Sequence, residues 1–269
     1  MKKDSVFEKE ELFHDEWASS ADIDKVMVDE FFEACTAPEN RYILKALGNI
    51  EGKKVLDIGC GLGESSVYFA KKGADVVATD ISPGMLEVAQ ELAAKHNVKL
   101  QTRKSYSNEL DFPNESFDIV YVANLLHHVD IDSTLKEIKR VLKKDGTFVS
   151  WDPLAHNPVI NVYRRMAMGV RTEDEHPIKM SELKIFRKYF PELTYTTTWL
   201  FTLNIFLKFY LVDRVHPNKE RYWKKIIVEH TKLEKLYNRL ESVDRTILKL
   251  FPFMKRYCWN IVIIGKNSA

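Results

Sequence analysis

The 269-residue sequence predicts an α/β fold: a doubly wound, mostly parallel sheet with helices on both faces. Three observations predict it. An apolar stretch at 54–58 runs straight into Gly59, Gly61 and Gly63 and then into a helix. A second buried stretch, 76–80, ends in Asp80, and from 53 to 150 strand-like and helix-like segments alternate. Parallel neighbours need crossover connections, so interleaved helices must cover both faces.

Each element has a local reason. Residues 5–48 read as two or three helices, with Phe13 to Ala18 on the first and Val26 to Cys35 on the next. Over 53–150 the order is strand, helix, strand, helix, strand, strand, helix, strand. Ser82-Pro83-Gly84 starts one of these helices, with serine as N-cap and proline in the first turn. Prolines at 153, 158 and 177 predict a loop leaving the C-terminal edge of the sheet. Segments 193–200 and 258–264 are rich in β-branched and aromatic residues and read as an antiparallel last pair, bringing the strands to seven. Between them lies a helical insertion, apolar over 199–212 and lysine-rich afterwards. The expected organisation is therefore 1–48 as a helical leader, 49–200 with 257–266 as the core, and 201–256 as the insertion.

Composition narrows the class. With 45% hydrophobic residues, a chain of this length can bury one substantial core and a cap. Cys35, Cys60 and Cys258 lack CxxC or Cys/His spacing, so neither a metal nor a disulfide framework is expected, and a reducing cytoplasm suits them. The N-terminus lacks the apolar core of a signal peptide, and no run reaches the roughly 18 apolar residues of a spanning helix. The net charge of +1 divides into +7 over 201–256 and −6 elsewhere. Two readings of that basic segment stand: solvated helix faces with pairs such as Glu220 and Lys224, or peripheral attraction of 199–256 to an anionic membrane surface.

The glycine loop carries chemistry. Glycines let the chain turn tightly and approach a ligand while the next helix presents unpaired N–H groups, so the loop suits a nucleotide-like cofactor whose ribose Asp80 can receive. A dinucleotide fingerprint requires glycine at 64, where Glu64 stands. Asp57 and Glu64 would repel a diphosphate but suit S-adenosylmethionine, which carries a sulfonium and an amino group and no phosphate.

On these residues the chain resembles the class I S-adenosylmethionine-dependent methyltransferases, especially the group related to ubiquinone and menaquinone methylases. The resemblance spans about residues 40–155. It rests on 55–63, on Asp80, on the Leu110-to-Asp118 segment, which is similar to the family's "LPF…SFD", on 121–128 and on 142–148. It implies a Rossmann-like core, a leader that folds over the cofactor as a lid, and S-adenosylmethionine as cofactor. By that resemblance Gly59 and Gly61 line the methionine moiety, Asp80 the ribose, and the backbone near Asn124 the sulfonium. Asp57, Cys60, Gly63, Ile81 and Met85 complete the expected cofactor set. The family's Gly-Asp pair is replaced by Ser105-Tyr106, which leaves Tyr106 to stack on or hydrogen-bond to the adenine, with Ser107 or Asn108 assisting.

The acceptor should meet the methyl group beside the fifth strand. Asp152, His156, Tyr163 and His176 are candidate acid, base or orienting groups there, and His127 or His128 can face substrate from the end of the fourth strand. Arg164 and Arg165 suit an acceptor phosphate or carboxylate, or pair with Glu173, Asp174 and Glu175. The expected function is methyl transfer to a small-molecule or lipid-like acceptor, at oxygen, with carbon and nitrogen open. The competing class is a non-catalytic cofactor-binding or partner-recruiting protein. A nucleic-acid substrate is disfavoured, because Asn157-Pro158-Val159-Ile160 is not the Asn-Pro-Pro-Tyr motif of enzymes that act on flipped bases.

Overall fold

The computed structural model describes residues 2–167 and 175–268, with side chains from Glu8 onward. The leader forms α1 (Lys2–Ser19), α2 (Val28–Glu33) and α3 (Pro38–Leu47). The core follows as β1 (Lys54–Ile58), α4 (Glu64–Lys71), β2 (Asp75–Asp80), α5 (Pro83–Lys95), β3 (Gln101–Lys104), β4 (Phe117–Ala123), α6 (Ile131–Val141) and β5 (Leu142–Pro153). Next come α7 (Pro158–Met166), α8 (Leu183–Tyr189) and β6 (Thr194–Thr198). The insertion contributes α9 (Asn204–Leu211), α10 (Tyr222–Val228) and α11 (His230–Leu250) before β7 (Asn260–Lys266).

One seven-stranded sheet runs in the order β3-β2-β1-β4-β5-β7-β6, with β7 antiparallel to both neighbours and the other pairings parallel. The doubly wound expectation holds. On one face Leu56, Val120 and Val122 pack with Leu135 and Ile138 of α6 and Phe186 of α8. On the other, Val55, Val76, Ile119 and Tyr121 pack with Phe69 of α4, Phe32 of α2 and Ile43 of α3. Burial on both faces explains why the central strands are nearly continuous in apolar residues.

The segment after β5 departs from the expected loop. Asn157 Oδ1 accepts the Ile160 N–H at 3.0 Å and Pro158 occupies the first turn, so the Asn-Pro pair starts α7.

The insertion builds a core of its own. Trp199, Phe206, Phe209, Tyr222, Ile226, Leu233 and Tyr237 are buried together with Ala34, Ala37 and Ile160. Exposed apolar side chains remain around α9, among them Leu207, Leu211 and Val212, and from the end of α11 onward, among them Leu250, Phe251 and Phe253. Among the described residues no helix is long and apolar enough to cross a membrane. Three of the basic side chains meet acids: Lys225 meets Glu220 and Glu229, Lys208 meets Asp213, and Arg245 meets Glu241. Glu220 therefore takes Lys225, and Lys224 turns elsewhere.

Candidate active site

A cavity of about 340 Å³ opens beyond the C-terminal ends of β1, β2, β4 and β5, the place where doubly wound sheets hold ligands. Its floor is the loop from β1 to α4. Gly59, Gly61 and Gly63 all have left-handed backbone, with φ of +71°, +53° and +91°. At Gly61 a Cβ would project into open space, so the loop leaves a cradle there. At Gly63 a Cβ would stand 2.7 Å from the Ala89 Cβ, and Gly63 is off the cavity wall. Its absent side chain serves the close approach of α4 to α5. Met85 is likewise off the wall, buried against Ala18 and Leu62.

Asp57, Gly59, Cys60, Gly61, Asp80, Ile81, Tyr106, Ser107 and Asn124 do line the cavity. Asp80 accepts the Gly61 N–H on Oδ2 and the Ser82 N–H on Oδ1, both at 3.0 Å, which aims the carboxylate and leaves acceptor capacity on each oxygen. Burial raises its pKa, against those two N–H groups. Burial, with the charges of Asp80 and Glu64, pushes Asp57 up to about 7, although Ser66 Oγ donates to it at 2.6 Å. The Ser107 hydroxyl is shared with Thr134 Oγ1 at 3.1 Å. Asn124 follows β4 with φ +55°, a conformation uncommon in a non-glycine residue and concentrated at functional sites.

Two distant segments roof this acidic floor. Asp15 of α1 accepts from Ser82 Oγ at 2.5 Å and from the Gly84 N–H at 3.0 Å, so it caps the start of α5 and latches the leader down. Trp17 then meets α10: the Arg221 guanidinium lies 4.0 Å from its ring centroid and Lys224 Nζ 4.9 Å. Trp223 packs edge-on at 6.4 Å. Burial lowers the pKa of both cations, and Glu64 opposes this at Lys224. Leader and insertion thus close over the cavity together.

The wall beyond Asn124 holds His127, His128, Tyr163, Arg164 and Glu175. Asp152 lies behind it, 2% exposed, with Oδ1 2.9 Å from His127 Nδ1. Burial raises the Asp152 carboxyl well above its ordinary range, opposed by the His127 backbone N–H. The Tyr163 hydroxyl accepts the Tyr222 N–H at 3.3 Å, tying α7 to α10. His156 is exposed and off the wall, because Asn157 and not His156 caps α7. His176 is also exposed and off the wall, and it contributes its backbone N–H to the His127 carbonyl at 2.7 Å. Glu173 and Asp174, two of the three expected arginine partners, lie outside the described residues; Arg164 Nη1 donates to Asn161 at 2.9 Å.

Sequence reasoning named Glu175 only as an arginine partner and did not single out Arg221 or Trp223. Two histidines and Glu175 also converge on this wall.

Residues 56–150 match a family described as a methyltransferase domain. A sterol 24-C-methyltransferase of Aspergillus fumigatus is 30% identical over 181 residues, 64% of this chain and 48% of that protein. A ubiquinone biosynthesis O-methyltransferase of Alkalilimnicola ehrlichii is 33% identical over 118 residues, 44% of this chain and 48% of that protein. The chain spans about half the length of these curated relatives. The solved structure of Haemonchus contortus phosphoethanolamine N-methyltransferase 2 with S-adenosyl-L-methionine shares the fold at a TM-score of 0.58 and 20% identity, covering 86% of this chain and 52% of that one. An open glycine cradle and an aimed acid at the end of β2 fit S-adenosylmethionine, and over residues 56–150 the chain is similar to the methyltransferase domain family.

Proposed function

We propose that the protein transfers the methyl group of S-adenosylmethionine to an oxygen of a small-molecule or lipid-like acceptor. The observation that carries this reading is His127, which lines the same cavity as the glycine loop just past the end of β4 and is backed by Asp152 of β5. Asp152 orients the ring of His127, which can accept a hydrogen bond from an acceptor hydroxyl and polarise its oxygen. Bound S-adenosylmethionine supplies an electrophilic methyl on a sulfonium, and the remaining task is to hold the acceptor oxygen in line with it. The mostly apolar wall, with Phe13, Phe31, Trp151, Ile160, Trp199 and Trp259, supports a lipid-like acceptor, as do relatives named for sterol and ubiquinone chemistry. In this reading Asp80 receives the ribose hydroxyls, Asp57 and Glu64 face the cationic methionine end, and Tyr106 lies against the adenine.

The test is transfer of radiolabelled methyl to a host-cell extract, followed by partition between organic solvent and water. Label in the organic phase is expected. Label only in water would overturn the lipid-like acceptor, and cofactor binding without any transfer would favour the non-catalytic alternative. Asp80→Ala is expected to weaken cofactor binding by about 1–3 kcal/mol, roughly 5- to 150-fold in Kd, through loss of charge-assisted bonds. Titration calorimetry with S-adenosylmethionine checks this, and unchanged affinity would remove Asp80 from the site.

A further inference from the structure

We propose that His127, His128 and Glu175 form a binding site for a divalent transition metal of the zinc class, one that holds the acceptor oxygen. One ligand atom from each of the three lies within 4.8 Å of the other two. All three residues line the cavity, so the site faces the space left for the acceptor.

The backbone builds this convergence. His127 and His128 close a turn after β4, where the His128 N–H bonds to the Leu125 carbonyl at 2.9 Å, and their ring centroids are 4.1 Å apart. Asp152 engages His127 Nδ1, which makes Nε2 the atom that His127 offers. A carboxylate holding the far nitrogen of an imidazole is the usual support of a metal-bound histidine. Glu175 comes from a distant segment and is delivered by two main-chain bonds: His176 N–H to the His127 carbonyl at 2.7 Å, and Ile178 N–H to the Pro153 carbonyl at 2.9 Å. Glu10 of α1 adds a carboxylate 3.9 Å from His128 Nδ1, so the latched leader borders the same corner.

Two imidazoles and one carboxylate are the donor set of catalytic zinc, where three protein ligands leave a position open to water or substrate. The second half of the proposal rests on the acceptor reading above, with the ion held on His127 Nε2 taking over from the bare ring the task of polarising the acceptor oxygen. An acceptor hydroxyl coordinates at the open position and loses its proton to water. Its oxygen then attacks the methyl carbon, the O–C bond forming as the C–S bond breaks and the electron pair stays on the sulfur of S-adenosylhomocysteine.

Untagged protein, freed of metal by chelator, would be titrated with Zn²⁺ alone and with Co²⁺ alone, with neither cofactor nor acceptor present. One ion per chain is expected, bound at least about tenfold more weakly in Glu175→Gln and in His128→Ala, and unchanged in His156→Ala. Bound Co²⁺ should show the visible absorption of a low-coordinate nitrogen and oxygen site in the wild type, lost in both ligand variants. No uptake, or equal uptake in all variants, overturns the site. S-adenosylmethionine affinity of the metal-free protein separates this from the family function: retained cofactor binding without metal uptake removes the metal alone. Metal uptake with methyl transfer unaffected by its removal overturns the acceptor half.

Discussion

Replacing Asp244 by alanine is expected to lower stability by about 3–4 kcal/mol and to loosen the roof of the active site. Asp244 sits on α11, 5% exposed, and its carboxylate takes up the whole turn between β6 and α9. It accepts the backbone N–H groups of Leu200, Phe201 and Thr202 at 3.0, 2.6 and 3.2 Å and the Thr202 hydroxyl at 2.7 Å. Alanine would leave four donors without their acceptor, and the desolvation cost falls mainly on the buried Thr202 N–H and hydroxyl, with Leu200 half-buried and Phe201 exposed. That turn follows Trp199, which holds φ +64° and lines the cavity. The insertion should therefore lose its anchor before the sheet does, and acceptor KM should rise more than the cofactor Kd. Urea unfolding and initial rates on the variant check both parts. Asn at 244 keeps one acceptor oxygen and should fall between, while a loss below about 1 kcal/mol for alanine would show that solvent reaches the turn.

The second large effect is on pH dependence, through Asp57. Its folded pKa of about 7 lies above the ordinary 3.8, chiefly through burial and then through Asp80 and Glu64. A carboxyl raised in the folded state binds more protons there than in the unfolded chain. It contributes stability that is fully present below pH 3.8 and is lost as pH rises through 7, at most about 4 kcal/mol. Ligand-free protein should thus lose stability between pH 4 and 7, and Asp57→Asn should remove this share of the slope. The cofactor reverses the sense: its positive charges favour ionised Asp57, so affinity should rise with pH between about 6 and 8 in the wild type and stay flat in Asp57→Asn. Calorimetric titrations at three pH values, beside urea midpoints, measure both. Parallel slopes in the two proteins would show that Asp57 does not carry the effect.

Much of this protein was legible in local chemistry. Left-handed turns require Gly59, Gly61 and Gly63, Ser82-Pro83 starts α5, and alternating strands and helices imply a doubly wound sheet, whatever lies around them. Asp80 could be singled out because a buried strand seldom ends in an acid without a use for it. Local signals misled where two explanations shared one residue type. Gly63 reads as a ligand glycine, but tight packing against Ala89 demands it equally. Prolines from the end of β5 onward read as breakers, yet Asn157 makes Pro158 a helix start.

What only the tertiary structure decided are the meetings of residues far apart in the chain. Trp17 meets Arg221 and Lys224, Asp15 meets the start of α5, Asp244 meets the turn after β6, and Glu175 meets His127 and His128. His156 and His127 are chemically the same side chain, and only one reaches the cavity. The sequence by itself determined the sheet, the glycine loop and the acid that ends β2, because backbone φ, burial periodicity and helix capping are set by each residue and its near neighbours. The roof and the acceptor wall were decided by packing, because long-range contacts depend on how the leader, α7 and the insertion bury their apolar faces against one another, which no local pattern encodes.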